Sequence, residues 1–570
     1  MWQKNSVSTI SELIAQRPGA DFELEDYMLL PAEELPVISN LSLMSASILN
    51  LLVEHNILIV TDYDTDGITA GIIIKKALSF LSLWLSDELG RPASDIRIEV
   101  PNRFTDGYGF QTRHAEMISD GVIILLDNGI SQHSEIRYAR ERGNTVFVVD
   151  HHLPGDTLPE ADLIVNPWAV PGSEFTGYCA AGLAYRLVRE MFQLSGIDQE
   201  TTRSAMEEFV FLAAIGTVGD MVPVLYENRL IVRQGLENVP EIWKHAIHVL
   251  LDEEKDTMTV DDIGFSVSPC FNAPGRLGHL DSVMLERLGL ASEDDKDGIA
   301  HELRDMNTLR REKTAEAVEI VEEIIREDDL DQFPAIILSS DRLFPGVLGI
   351  VAGNIAERHR KPVILLAPSE SGYLTGSSRT YGRIHLKQML DAVSHLLIRY
   401  GGHAAAAGLS LDGSELEHMK RAVFEYLDSH TGASDDLQLY DFELLPEEDW
   451  QPLYDEIRSR GPFGQDNPAP VFRCEFNPLP GLTKRIGEGK NHIKIRGRRY
   501  DAIGFNMADL YETKIKDERG LCLYGQLSEN VYHGESTLQF QLIDFEQTSE
   551  SVSVPEPPLR KSLQNILNLF

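Results

Sequence analysis

The stretch ILIVTDYDTDG, residues 57–67, runs an unbroken apolar segment into Asp62, Asp64 and Asp66 and closes on Gly67. Hard carboxylate oxygens suit divalent cations, and open α/β sheets bind their ligands at the carboxyl ends of the strands. Alternating aspartates at the end of a buried strand therefore read as a metal site. The alternative is a solvated acidic turn, which does not need a long buried strand feeding it. Two more stretches repeat the design: VIILLDNGIS brings Asp127 with Asn128 and Gly129, and TVFVVDHHLPG brings Asp150, His151 and His152. A fourth candidate segment, EEFVFLAAIGTVGDMVP, reads as an apolar helix ending in a Gly-rich turn with Asp220. Singly, an aspartate after a strand is commonly a helix cap, and a lone histidine is commonly a hydrogen-bonded core residue. Together, carboxylates and imidazoles suit manganese, magnesium or zinc.

These side chains need a parallel sheet whose strands all end at one edge. The apolar runs at 57, 96, 122 and 145 supply such strands, and Thr69–Leu89 reads as a helix packed on them. The strand IRIEVP empties into NRFTDGYGF, where Gly107 and Gly109 permit close backbone approach and Arg103 can meet an anion. Between about 298 and 327 lies a long charged helix with an apolar stripe, read as a connector of two lobes. A second α/β unit follows over 330–430, with strands PAIILSS, KPVILLA and YLTGSSRT and a helix VLGIVAGNIAERH.

At 570 residues the chain has room for three or four domains, and its 43% hydrophobic content is that of a folded protein. No signal-peptide core opens it and no run of about 18 apolar residues appears, so a cytoplasmic protein without a membrane partner is expected. Cys179, Cys270, Cys474 and Cys522 show no metal-ligand spacing and are read as reduced core residues. The net charge of −39 opposes nucleic-acid binding on average, but a binding channel needs only a local positive stripe. Residues 484–499, KRIGEGKNHIKIRGRR, supply one, with seven Lys or Arg against Glu488. They lie within five short alternating strands over 460–547, which suit a small barrel of the OB type, with Tyr500, Phe505 and Tyr532 as stacking candidates or core aromatics. The end, SVSVPEPPLRKSLQNILNLF, is a Pro-rich spacer followed by QNILNLF. That heptapeptide is either a terminal helix folded back on the barrel or a peptide resembling those that dock on sliding clamps.

The ordered motifs DYDTDG, PNRFTDGYG, LLDNGIS, VVDHHLPGDTLP, GTVGDMVPVLYENR, NAPGRLG, GSSRT and GGHAAAAGLSL resemble those of the DHH phosphoesterase superfamily, and in detail its RecJ branch of single-strand-specific exonucleases. The likeness spans roughly residues 50–550. It implies a DHH lobe over 49–290 after a lead-in over 1–48, and a connecting helix over 291–328. A DHH-associated α/β substrate-binding lobe follows over 329–432, then an OB-type β-barrel over 433–550 and a flexible tail over 551–570. It further implies that Asp64, Asp66, Asp127, His151 and Asp220 hold two divalent ions, Mn²⁺ or Mg²⁺, with Asp127 bridging, while Asp62 and His152 orient ligands or assist proton transfer. A cation pair of this kind activates water and neutralises charge on the scissile phosphate.

The same resemblance makes Arg103, Tyr108, Ser377, Arg379 and His403 substrate-binding, with Ser377 and Arg379 on the 5′ phosphate, and moves Arg276 from a structural neighbour of a turn toward a phosphate contact. Arg496 and Arg498 are expected on the strand from the basic stripe. The implied activity is 5′-to-3′ hydrolysis of single-stranded DNA to nucleoside 5′-monophosphates in recombination and repair. Single-strand-binding protein, a helicase and a sliding clamp are candidate partners. Val60, where small-molecule members of the superfamily carry histidine, supports the nuclease branch. Leu343, Phe344 and Pro345 stand where the branch commonly has Trp-His-Gln, which puts the details of end recognition in question. The competing readings are a phosphodiesterase of short oligonucleotides or cyclic dinucleotides, and a non-catalytic replication scaffold.

Overall fold

A computed structural model of the chain describes residues 2–547 except 20–26, 28–29, 31–33, 256, 291–292, 370–371, 383, 431–437, 488, 517–519 and 533–534. The C-terminal heptapeptide therefore lies outside the described residues. The chain forms two compact units, one of Phe22–Ala433 with Gly464–Asp466 and one of Met1–Asp21, Ser434–Phe463 and Asn467–Phe570.

The larger unit holds two sheets. The first is wholly parallel, in the spatial order Ile96–Glu99, Ile57–Thr61, Val122–Leu126, Thr145–Val149, Leu163–Val165. The strands Ile57–Thr61 and Val122–Leu126 are buried along their whole length, as expected of unbroken β-branched and leucine runs covered on both faces. Thr61 pairs with Leu126, and Leu126 with Val149. Asp62, Asp127 and Asp150 are therefore the next residues of three adjacent strands and stand in one row at the sheet's carboxyl edge. The helix after the first strand, Thr65–Leu89, begins four residues before the expected Thr69, because Asp64 caps it: its side chain accepts from Gly67 N at 3.1 Å. This helix is long and apolar enough to cross a membrane, but 67% of its apolar window is buried within the unit, as befits a core helix. The helix Gln199–Gly219 packs beside it and delivers Asp220 at its C-cap. The approach is close. A Cβ at Gly216 would sit 2.5 Å from Ala181 Cβ and 3.0 Å from Asp66 Oδ1, so only glycine lets this helix reach the row of aspartates.

The long helix runs Glu293–Glu327, and the second sheet follows it. Its order is Arg399–Gly402, Ala406–Leu411, Leu374–Arg379, Val363–Pro368, Ile336–Ser339, with only the last pair parallel. APGRLG, expected as a turn, is the last part of the helix Ser268–Leu277, which accommodates Pro274 and stops at Gly278 with φ +77°. A five-residue π-helical segment, Ile263–Val267, precedes it.

In the smaller unit the expected five strands are seven. Phe442–Leu444 and Lys484–Ile486 add three residues each, too short for an alternating pattern to register. Residues at the chain's start belong here: Trp2–Lys4 pairs parallel with Gln438–Tyr440, and Ile10 and Ile14 enter the core around Trp450 and Phe540. All four cysteines are buried and unpaired.

Candidate metal centre

The row of strand ends gathers all seven expected acidic and imidazole groups. Asp62, Asp64 and Asp127 form one close cluster, Asp66, His151 and Asp220 a second, and Asp127, His151 and His152 a third, each with its ligand atoms within 4.8 Å of one another. His151 Nε2 lies 3.1 Å from Asp127 Oδ1, 3.6 Å from Asp66 Oδ2 and 3.7 Å from Asp220 Oδ2. Asp127 belongs to two of the clusters, and its left-handed backbone, φ +59°, lets the chain turn out of the strand while the carboxylate stays in the row.

Each side chain of the cluster has a local reason for its place. Asp66 accepts from Ala180 N at 2.7 Å and Ala181 N at 2.8 Å, at the N-terminus of the helix Ala180–Ser195, where exposed amides and the helix dipole favour an anion. Thr65 N donates to Asn272 Oδ1 at 3.0 Å, tying the aspartate loop to the helix that carries Arg276. Asp150, the residue before the two histidines, sets their orientation. Its Oδ1 accepts from His151 N, His152 N and His152 Nδ1 at 2.8, 3.1 and 2.8 Å, and its Oδ2 accepts from Ile130 N at 3.0 Å. Asn128 donates to Val60 O at 3.2 Å and Leu126 O at 2.7 Å, and accepts from Phe110 N at 3.2 Å, which locks the Tyr108 loop onto the sheet. Asp150 was visible at its strand end without an assigned role. Nothing in the sequence marked Asn272, 207 residues from its partner.

The electrostatics are those of a cation site. Burial, then repulsion among the carboxylates, pushes Asp62, Asp127 and Asp220 well above the usual carboxylate range. Asp66 is raised by burial and Asp64, against the pull of His151. Burial pushes His151 down. Burial also opposes the charged form of His152, but the Asp150 hydrogen bond and charge, with Asp220 and Asp62, overcome it and raise His152 to about 9. Asp62 Oδ1 is buried with no hydrogen-bond partner among the described residues. A donor set of oxygens with imidazole, mutually repelling and with one orphaned carboxylate oxygen, fits Mn²⁺ or Mg²⁺.

The expected anion-binding groups stand beside this centre. Arg276 is half-buried and held down to about 10 by desolvation and by the repulsion of Arg103, Arg310 and Arg379. Arg379 is likewise lowered by burial and Arg103. Four guanidinium groups therefore crowd one place, with Asp64 near enough to favour the charged form of Arg276. Arg103 also lies 5.6 Å over the Tyr63 ring. Ser377 and Arg379 lie on the strand Leu374–Arg379, where Arg379 Nη1 donates to Ser378 O at 2.8 Å. The first turn of the helix Leu348–His359 closes on them: a Cβ at Gly349 would stand 2.8 Å from Arg379 Nη2 and 3.1 Å from Ser377 Oγ. Serine hydroxyl, guanidinium and helix N-terminus converge as in an oxyanion clamp.

Tyr108 donates its hydroxyl to Asp127 O at 3.1 Å and is 41% exposed. His403 is exposed in the loop before Ala406–Leu411. Its N–H donates to Ala406 O at 2.8 Å, and Ala406 pairs with Arg379. Phe344 fills its position with a ring 5.7 Å from Phe104, and Lys313 Nζ stands 4.9 Å over it.

In the smaller unit the basic stripe is less free than its composition suggests. Lys494 and Arg496 share Asp501, Arg485 is held by Asp509 and Glu512, and Arg499 meets Asp449. Short strands bring carboxylates from outside the stripe onto it, which a charge count over a window misses. Arg498 is exposed, with no ion pair among the described residues. Tyr500 stacks on buried Trp450 at 4.2 Å and is a packing residue, whereas Phe505 is 49% exposed.

Three family models match the chain: "DHH family, N-terminal domain" over residues 56–217, "DHHA1 domain" over 332–429 and "RecJ OB domain" over 440–544. The single-stranded-DNA-specific exonuclease RecJ of Haemophilus influenzae is 34% identical over 537 residues, covering 87% of this chain and 89% of that protein. The chain belongs to the RecJ family. RecJ of Escherichia coli is 31% identical, with 85% and 86% covered. The crystal structure of RecJ with Mn²⁺ from Thermus thermophilus matches with a TM-score of 0.76 at 26% identity, over 99% of this chain and 83% of that one. The carboxylate and imidazole groups described above could hold metal ions and lie in a chain with the RecJ-family fold.

Because the four raised aspartates, and His152 raised to about 9, bind protons in the metal-free fold that the unfolded chain has released, metal-free stability falls as pH rises from the ordinary carboxylate range, and His152 carries the fall between about pH 6.5 and 9. In chelator, melting temperature should therefore be lower at pH 8 than at pH 6, and Mn²⁺ should raise it more at pH 8. Asp127→Asn should outmelt the parent in chelator at pH 8 and gain little from Mn²⁺. Differential scanning fluorimetry reads all four conditions, and a pH-independent gain retained by the variant would contradict the assignment.

Proposed function

We propose that the protein is a metal-dependent exonuclease that degrades single-stranded DNA from the 5′ end and releases nucleoside 5′-monophosphates, in recombination and repair. One observation carries this reading: a cation-seeking carboxylate and histidine cluster lies against a cluster of four arginines within a single compact unit. The family relationship supplies the substrate class and the polarity.

A pair of divalent cations held by Asp64, Asp66, Asp127, His151 and Asp220 supplies charge neutralisation at the scissile phosphate and lowers the pKa of attacking water. The chain's own groups do the rest. Ser377, Arg379 and Arg276 hold the terminal 5′ phosphate, and Arg103 shields the negative charge between clamp and centre. Asp150 fixes the imidazole of His152 beside the cluster, where His152 and Asp62 are placed to pass the proton that the leaving oxygen takes up. Water adds to phosphorus, the bond from phosphorus to the 3′ oxygen breaks, and that oxygen leaves as a hydroxyl on the released mononucleotide. The shortened strand keeps a 5′ phosphate, so the same clamp can receive it again.

Arg498 and exposed Phe505, which flank the strand Asp501–Gly504, contribute sequence-independent strand binding from the smaller unit. Single-strand-binding protein and a helicase would present such ends, and a DNA substrate fits a cytoplasmic enzyme. Clamp docking through the last residues is part of the same proposal and concerns residues outside those described.

Digestion of end-labelled single strands should need Mn²⁺ or Mg²⁺, start at the 5′ end and yield mononucleotides, and Asp127→Ala should abolish it while the fold persists. Cleavage confined to dinucleotides or cyclic dinucleotides would select the small phosphodiester class instead. Arg498→Glu should weaken binding of long single strands and lower the slope of log affinity against log salt by about one. An unchanged slope in fluorescence anisotropy titrations would remove this residue from the interface.

A further inference from the structure

The row of strand ends continues past the metal centre. Val149 pairs with Val165 of the edge strand Leu163–Val165, so Asn166 is the next residue beside Asp150 and extends the row of Asp62, Asp127 and Asp150 by one place. Asn166 is buried, and its amide serves two segments. Nδ2 donates to His152 O at 2.9 Å, and Oδ1 accepts from Trp168 N at 2.9 Å and Ala169 N at 3.1 Å. One side chain therefore ties the backbone of Trp168 to the loop that carries His151 and His152.

Trp168 is 51% exposed, and Leu153, the residue after His152, is 59% exposed. The other tryptophans are buried, as Trp243 and Trp450 are, or half-buried, as Trp2 and Trp84 are. A single exposed apolar side chain is ordinary, but this one stands at the carboxyl edge of a parallel sheet, where such sheets bind ligands. The opposite end of the row belongs to the arginines: Arg103 follows the strand Ile96–Glu99 at the other edge of the sheet, with Arg276 and Arg379 near it. Arginines, metal centre and Trp168 therefore come in that order along the sheet edge. Neighbouring strands lie about 4.8 Å apart, which puts the strand before Asn166 roughly 10 Å beyond that of Asp127. Charge differs sharply between the two ends. Residues 143–185 contain no Lys or Arg, whereas Asp156, Glu160, Asp162 and Glu174 fall among them. A phosphate is disfavoured at this end, and a neutral base is not.

We propose that Trp168 is a stacking platform for the bases just 3′ of the scissile bond, those of the strand's second and third nucleotides. The inference rests on the nuclease reading above and deepens it. With the 5′ phosphate at the arginine end and the scissile phosphate at the centre, the rest of the strand leaves past the centre toward Asn166. There it meets an indole and no cation, so it is held by its bases and not by its phosphates. Every base has a face to stack, and the contact does not read sequence. Asn166 gives the platform its register, because the side chain that anchors Trp168 also holds the carbonyl of His152. A base stacked on Trp168 thus steadies the strand on the far side of the bond to be cut, as the arginines do on the near side. Stacking on an aromatic side chain is worth roughly a tenfold change or more in binding, independent of base identity.

The test compares two 5′-phosphorylated single strands, identical except that one carries abasic tetrahydrofuran residues at its second and third positions, digested by the full-length protein with Mn²⁺. The parent should cleave the first bond of the abasic strand with a KM about tenfold higher and kcat changed far less. Trp168→Ala keeps the backbone N–H that Asn166 accepts, and it should raise KM for the natural strand to the abasic level and erase the difference. Trp168→Phe should restore most of it. Equal KM values for the two strands in the parent, or a difference that survives Trp168→Ala, would overturn the stacking platform alone. Failure of the parent to cleave either strand would overturn the nuclease reading and the platform with it.

Discussion

Parallel pairing in register is the constraint from which the rest follows. Thr61, Leu126 and Val149 lie side by side, so the next residue of each strand, Asp62, Asp127 and Asp150, has no choice but to stand in one row. A shift of one residue in either pairing would turn an aspartate to the other face and a leucine or valine into the centre. The full burial of Ile57–Thr61 and Val122–Leu126 forbids that slip. The hydrophobic core thus holds together carboxylates that repel one another. The aspartates divide the work. Asp150 is pulled below its usual range, against its burial, by His152, His151 and the Ile130 amide, and it orients both imidazoles. Asp62, Asp127 and Asp220 are pushed up and remain available for cations.

The same unit concentrates positive charge where an anionic substrate must arrive. A chain of net charge −39 repels polyphosphate over most of its surface, yet Arg103, Arg310 and Arg379 are close enough to Arg276 to depress its titration. Packing like charges costs stability in the absence of a ligand and is relieved when an anion enters. Acidic and basic clusters placed side by side are each unfavourable alone and complementary to a metal–phosphate assembly. The long approach of the helix Gln199–Gly219, permitted by Gly216, and the cap of Asp64 on Thr65–Leu89 bring the last two carboxylates into that arrangement.

The parallel sheet, its strand-end aspartates and histidines, and the second α/β unit were legible because buried strands of one hydrophobic run leave a strong local signal, and because the ordered motifs resemble one superfamily. What escaped was non-local or short. Asn272 supports Thr65 across 207 residues, and Trp2–Lys4 joins a strand that begins at Gln438. Phe442–Leu444 and Lys484–Ile486 are too brief to show a period. The basic stripe misled for a related reason: a window of sequence shows Arg496 and Lys494, but not Asp501 brought between them by strand pairing. APGRLG reads as a turn because it holds proline and two glycines, whereas the helix carries it as far as Leu277, with a π-helical segment ahead of that helix.

The most direct test of the central claim, that the row of strand ends builds a two-cation centre, is the stoichiometry of Mn²⁺ binding by equilibrium dialysis with electron paramagnetic resonance of the bound fraction. Two ions per chain, magnetically coupled, with both tight sites lost on replacing Asp127, is the result the structure predicts. A single uncoupled ion, or two ions still bound tightly without Asp127, would contradict it.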